Sequence, residues 1–257
     1  TATIANFLDD GRLSEAFARY YLFPMTAAIW STGTESVTSF PRDPLLRFLD
    51  NHGLLQVTGQ PEWRTIIGGS RSYIAPMIRG LQDRVHLGRG VETIVRGSDG
   101  VELNLDDGSR HHFDHVVIAT HADQALSMLA DPTARETELL GRWTYSINDT
   151  WLHTDTSLMP RRRAAWASWN YLMSDGRHPQ ERASVSYHLN RLQRLAEDRD
   201  FMVTLNPERE PAAEEVIRRM SYAHPVYTAD SVATQKLLPV GAFPPDRYQP
   251  CGGPGWG

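Results

Sequence analysis

The sequence predicts an α/β (α+β mixed) fold in which two domains interleave, and three observations predict it. Residues 85–120, VHLGRGVETIVRGSDGVELNLDDGSRHHFDHVVIAT, read as strands joined by tight turns and closing on an apolar run. The first sixty residues read as helices, and residues 143 to about 206 read as antiparallel strands. Helices, then a mixed unit, then a sheet is the order expected of interleaved domains.

Within 85–120, Val91, Thr93 and Val95 alternate with polar neighbours, as do Val101, Leu103 and Leu105, so each strand is expected to bury one face. Ser98-Asp99-Gly100 and Asp106-Asp107-Gly108 supply the turns. An opening strand is expected near Val85. The run Val116-Val117-Ile118-Ala119 does not alternate, which suits a strand covered on both faces. Ligands of parallel sheets sit at the carboxyl ends of strands, which directs attention to Ala119, Thr120 and His121.

In the helical part, TIANFLDDG reads as a helix with a glycine stop. Ser14 caps EAFARYYLFPMTAAIWS, which Pro24 is expected to bend or divide. A further helix, LLRFLDNHG, follows Pro41 and Pro44 and stops at Gly53. A short strand over 63–67 is then expected to end at Gly68-Gly69, with Ser70 capping RSYIAPMIRGLQ. Such a junction lets a backbone approach a ligand and points amides at it; most Gly-Gly pairs before helices are only turns.

Two helices, ADQALSMLAD and 132–140, follow Thr120. SINDTWLHTD, AAWASWNYLM, ASVSYHLNRL and FMVTLN then form four strand-like runs carrying Trp151, Trp166, Trp169 and Tyr171. Aromatics on one sheet face are mostly core, and a minority line pockets. The segment after Glu214 reads as a strand or short helix, a turn at His224-Pro225 and a helix from about Ala229. No internal repeat is visible.

Composition excludes several classes. A chain 40% hydrophobic and 22% charged is neither disordered nor membrane-like. A net charge of −5 gives no basic face for nucleic acid. Cys251, the single cysteine, forms no intramolecular disulfide and no cysteine metal cluster, so a reducing cytoplasm is the expected setting. No apolar run spans a bilayer. The start at Thr1 and the Pro/Gly-rich residues 238–257 are expected to reflect a fragment or an altered end.

GxGxxG, Walker, HExxH, CxxC and GxSxG motifs are all missing from the sequence. His111, His112 and Asp114 do not converge on a metal, because adjacent strand residues face opposite ways. Arg161-Arg162-Arg163 suits an anionic group or, more simply, a solvated turn. His52, His188 and His224 lie in aromatic company, where a hydrogen-bonded structural histidine is the default.

GGS at 68–70, a helix, VHLGRGVETIVRGSDGVELNLDDG and DHVVIATHADQAL together resemble the flavin-containing amine oxidase superfamily. The branch they resemble most is that of bacterial NAD/FAD-binding, amine-oxidase-like oxidoreductases. YYLFPMTAAIWS, EWRTIIGGSRSYI, HTDTSLMPRRRAAWASWNY and YAHPVY carry the same resemblance, which covers about residues 3–237. It implies a partial FAD-binding Rossmann-like domain with a β-meander, of which 60–131 is the middle segment. It further implies a substrate domain made of helical 1–59 and sheet-bearing 132–237, followed by an irregular tail, 238–257.

By resemblance, Val91 lies where backbone groups meet adenine, and Ala119, Thr120 and the Gly68-Gly69 turn lie near the cofactor. Trp63 and Arg64 fall at the flavin–substrate boundary, and Trp169 and Tyr171 line a substrate pocket. No catalytic acid or base carries over. The implied reaction is hydride transfer from a C–N or C–C bond of a small-molecule or lipid-like substrate to FAD. The alternative is a truncated, non-catalytic remnant or binding module that cannot hold the FAD diphosphate without the glycine loop.

Overall fold

Ser14 starts the main helical run by accepting a hydrogen bond from the Phe17 amide at 3.1 Å. In this computed structural model the described residues are 2–9, 13–32, 34–56, 58–59, 61–172, 184–235, 237 and 248–250. Contacts sort the chain into two units, 1–77 with 145–226 and 78–144 with 227–257. The boundary near residue 78 lies eighteen residues past the position 60 read from sequence, so Gly68-Gly69 belongs by contacts to the first unit.

The first unit opens with α1 (Ile4–Asp9), α2 (Glu15–Phe17), a π-helical turn (Ala18–Leu22), α3 (Phe23–Trp30), α4 (Thr34–Thr38), α5 (Arg42–Asn51) and α6 (Arg71–Met77). Pro24 lies in the first turn of α3, which continues the π turn without a break, so its missing N–H falls inside one helical run. The irregularity expected at Pro24 is the π turn just before it. Leu22, Ala27, Val37, Leu45 and Leu49 form the buried face, and the Trp30 ring packs on Phe40 and Phe48 at 4.8 and 4.7 Å. The strand expected over 63–67 does not form. Those residues are exposed and pair with no strand, so their backbone groups join no ladder.

The second unit begins with a three-stranded antiparallel meander, β1 (Val91–Arg96), β2 (Val101–Leu105) and β3 (Arg110–Phe113). The strand expected near Val85 is absent, and the chain there is irregular and exposed. β4 (Val116–Ile118), α7 (Ala122–Met128) and α8 (Ala134–Leu140) follow. Val117 is 61% exposed, so β4 is not covered on both faces by the described residues. Ile94, Val101, Ala125, Leu129 and Leu139 make the core, with α7 packed on β1 and α8.

The chain then returns to the first unit as a five-stranded sheet. Its strands are β5 (Thr144–His153), β6 (Trp169–Leu172), β7 (Ser184–His188), β8 (Met202–Leu205) and β9 (Val216–Val226), in the order β6-β7-β8-β5-β9. A short helix, α9 (Leu189–Gln193), follows β7. Only the last part of AAWASWNYLM is strand, and Arg163–Ala165 forms a 3-10 turn before it. The turn expected at His224-Pro225 is instead part of β9, which tolerates proline because it is an edge strand.

Among the described residues the last elements are α10 (Ala229–Thr234) and β10 (Tyr248–Pro250), both in the second unit. β10 pairs in parallel with β4. Trp143 holds this return in place by donating from Nε1 to Thr234 Oγ1 at 3.0 Å and meeting Tyr227 edge-on at 5.6 Å. No helix among the described residues is long and apolar enough to cross a membrane.

Candidate functional site

Parallel pairing of β10 with β4 puts Tyr248 opposite Val116 and Pro250 opposite Ile118. The carboxyl end of that pair is Ala119-Thr120, both exposed, directly after buried Ile118. His121 then caps α7, with its amide donating to Gln124 Oε1 at 3.2 Å. Val91 begins β1, half-buried, opposite Leu105 and beside an irregularity in register before Thr93. Val91, Ala119 and Thr120 therefore offer strand-terminal groups in one unit. A diphosphate needs a glycine-rich loop of converging amides, and the sequence carries no GxGxxG to form one.

Gly68 and Gly69 adopt φ of +82° and +74°. Two successive left-handed residues are accessible to glycine and strained for others. A Cβ at Gly69 would meet nothing within 4 Å, so conformation rather than crowding demands glycine there. Trp63 is 64% exposed, with one face toward the His52 ring at 5.9 Å. His52 in turn stacks on Phe48 at 3.9 Å, and its Nδ1 lies 2.7 Å from the Phe48 carbonyl. Arg64 forms an exposed pair with Glu62 at 3.2 Å.

Trp169 and Tyr171 are brought together on β6. Trp169 is aligned with Tyr187 and Tyr171 with Val185, so all four side chains share one sheet face. The Trp169 ring meets Tyr187 edge-on at 5.7 Å, and the Tyr187 hydroxyl donates to the Ala28 carbonyl of α3 at 3.1 Å. Burial pushes the Tyr171 hydroxyl pKa up, and burial does the same for Tyr187. Burial thus favours the protonated form of both phenols, and the Tyr187 hydroxyl acts as a donor. This face is an aromatic wall against a helix.

Tyr187 escaped sequence reasoning, although its place two residues from Val185 in SVSYH marks the same face. On the opposite face, sequence reasoning reached His188 as a hydrogen-bonded structural histidine but not its buried polar neighbours. Buried Ser186, Thr204 and His153 line this face, and His188 joins them with Nε2 2.9 Å from Asp200 Oδ1. Arg163 binds the other Asp200 oxygen at 2.7 Å and lies over the Trp166 ring at 4.7 Å. One member of the basic cluster is thereby a paired structural residue. His111 and His112 occupy successive, exposed positions of β3.

A family model described as flavin containing amine oxidoreductase matches residues 5–235. No curated protein sequence matches the chain. Among solved structures, wild-type putrescine oxidase bound to putrescine superposes with a TM-score of 0.62 at 13% identity, over 97% of this chain and 62% of its own. A putative protoporphyrinogen oxidase from Exiguobacterium sp. 255-15 gives 0.58 at 14%, over 96% and 62%. A CLA-producing fatty acid isomerase from P. acnes gives 0.60 at 13%, over 97% and 61%. At these identities the likeness is one of fold. The chain spans about three fifths of the length of each of these structures.

Proposed function

The chain belongs to the flavin-containing amine oxidoreductase family, and from that membership we propose that it serves an FAD-dependent oxidoreductase. The supporting observation is a family match that runs through both units, from residue 5 to residue 235. Bound FAD supplies the hydride acceptor for a C–N or C–C bond. The chain's own residues bind, orient and exclude water.

In this reading the main-chain groups of Val91, Ala119 and Thr120 contact the nucleotide, and the Gly68-Gly69 turn lets the backbone approach the cofactor. Trp63 and Arg64 lie at its substrate side. Trp169, Tyr171 and Tyr187 offer flat apolar surface with protonated hydroxyls, which suits a small amine or a lipid-like chain. The related folds named above include a putrescine oxidase and a fatty acid isomerase, consistent with either. A cytoplasmic setting fits the single cysteine.

The missing GxGxxG motif favours a second reading, that the 257-residue chain by itself is a non-catalytic remnant. Titrating the purified chain with FAD and following flavin fluorescence separates the two. Micromolar binding sinks the remnant reading, and no binding up to millimolar FAD supports it.

A further inference from the structure

His153 is fully buried at the end of β5, and the flavin reading gives it no task. Thr204 is aligned with Trp151 and Ser186, while Met202 is aligned with His153 and His188. Directly paired residues of neighbouring strands project to the same face, so His153, Thr204, Ser186 and His188 share one face of the sheet. His153 Nε2 lies 2.8 Å from Thr204 Oγ1, which lies 2.7 Å from Ser186 Oγ. Ser186 Oγ donates to the Leu158 carbonyl at 3.2 Å.

A carbonyl only accepts, so the direction of the whole chain is set at that end. Ser186 spends its proton on Leu158, Thr204 must then donate to Ser186, and His153 must donate from Nε2 to Thr204. Neutral His153 is thereby held as the Nε2–H tautomer. Its Nδ1 is a buried lone pair that makes no well-aligned hydrogen bond, with the Asp155 main chain near enough to favour a proton there.

We propose that His153 is an acid-sensitive latch of the first unit. When neutral, it closes the hydroxyl chain across β5, β8 and β7. When protonated at Nδ1, it directs the new N–H at the Asp155 main chain and loosens the end of β5 from the turn at 154–158. The charged groups around it are few. Asp155 Oδ1 accepts from the Ser157 amide at 2.9 Å, and Oδ2 accepts from the Ala212 amide at 3.0 Å. The Ser157 hydroxyl also donates to Asp155 and accepts from Arg209. Both Asp155 carboxylate oxygens are therefore occupied, and its main-chain carbonyl is the acceptor left for a new Nδ1–H.

Glu215, ahead of β9, accepts from Thr154 Oγ1 and lies 3.7 Å from Arg199. β7 contributes His188, already on Asp200, and Met202–Leu205 of β8 carries no charge. Burial lowers the His153 pKa, against the opposing pull of Asp155 and Glu215. A histidine whose folded pKa lies below its unfolded one favours folding while neutral. That contribution is lost as pH falls through the unfolded value of about 6.5 and levels off below the folded one.

Nitrogen-15 NMR of the histidine rings in the full chain, together with thermal melting from pH 7.5 to 5, tests the latch. His153 is expected as the Nε2–H tautomer at pH 7.5, titrating below an exposed histidine. The wild type is expected to lose melting temperature on acidification by about 4 °C for each tenfold drop in His153 proton affinity. His153→Gln, whose amide can still donate to Thr204, loses less. An Nδ1–H tautomer, an ordinary titration, or equal acid slopes in both proteins overturns the proposal. Should the variant fail to fold, the wild-type spectrum decides alone.

Discussion

Arg96 of β1 donates to Glu136 of α8 at 2.8 Å across forty residues of sequence, and the Glu136 side chain is fully buried. Arg96 also binds Asp131 at 3.0 Å. Burial works against the Arg96 charge, and the hydrogen bonds to Glu136 and Asp131 more than restore it. Glu136 Oε2 also accepts from the Thr133 amide, closing the capping box that starts α8. One carboxylate thus ties the meander to the helices of the second unit.

Removing Arg96 leaves the fully buried Glu136 carboxylate without its ionic partner, whereas Arg96 would keep Asp131 if Glu136 were lost. Arg96→Ala is expected to destabilise the second unit by about 3–5 kcal/mol, measured by chemical denaturation. Arg96→Met combined with Glu136→Leu is expected to recover much of that loss, because no charge then stays buried.

Asp149 receives two bonds from Arg219, at 3.0 and 2.9 Å, while the guanidinium lies over the Trp151 ring at 4.3 Å. The Arg219 hydrogen bonds hold the Asp149 pKa below its ordinary value. An aspartate so depressed adds stability above its unfolded pKa of about 3.9, and that stability is lost as pH falls through the folded value. Arg219→Ala is expected to raise the Asp149 pKa, read by carboxyl carbon-13 NMR, and to flatten the acid side of the stability curve.

Tyr187→Phe removes the hydrogen bond to the Ala28 carbonyl of α3 and the interaction with the Ser31 hydroxyl, and keeps the ring against Trp169. The expected cost is about 0.5–1.5 kcal/mol in urea denaturation, with little change in tryptophan emission. A larger loss would mean that the hydroxyl organises more than these contacts.

Gly69→Ala separates turn from site. Open space surrounds the new methyl, so backbone strain alone is expected to cost about 1–2 kcal/mol. If the turn also meets a cofactor, FAD affinity falls more than stability does, as comparison of a flavin titration with a melting curve would reveal.

Local signals were legible because their causes are local. Ser14, the Asp-Gly turn at 107–108 and the alternation of Val101, Leu103 and Leu105 act within a few residues, and the structure shows the cap and the meander they imply. The strand end just before Ala119 and Thr120 was likewise reachable, because a strand followed by a helix is written in the sequence itself.

Pairing was a different matter. The segment 63–67 has strand-like residues but no neighbouring strand, and a ladder needs two sides. Pro225 looked like a turn until β9 proved to lie at the sheet edge, where a missing donor is tolerated. Val117 looked buried because apolar, yet burial depends on what packs above it.

By itself, the sequence determined the element types, their order and the family resemblance, since periodicity, turn chemistry and word order are properties of the chain. Only the tertiary structure decided which side chains meet. It aligned Trp169 with Tyr187 on one face of the sheet, and His153 with Met202 beside His188 on the other. Strand register sets those alignments, and register is a relation between segments that lie far apart in sequence.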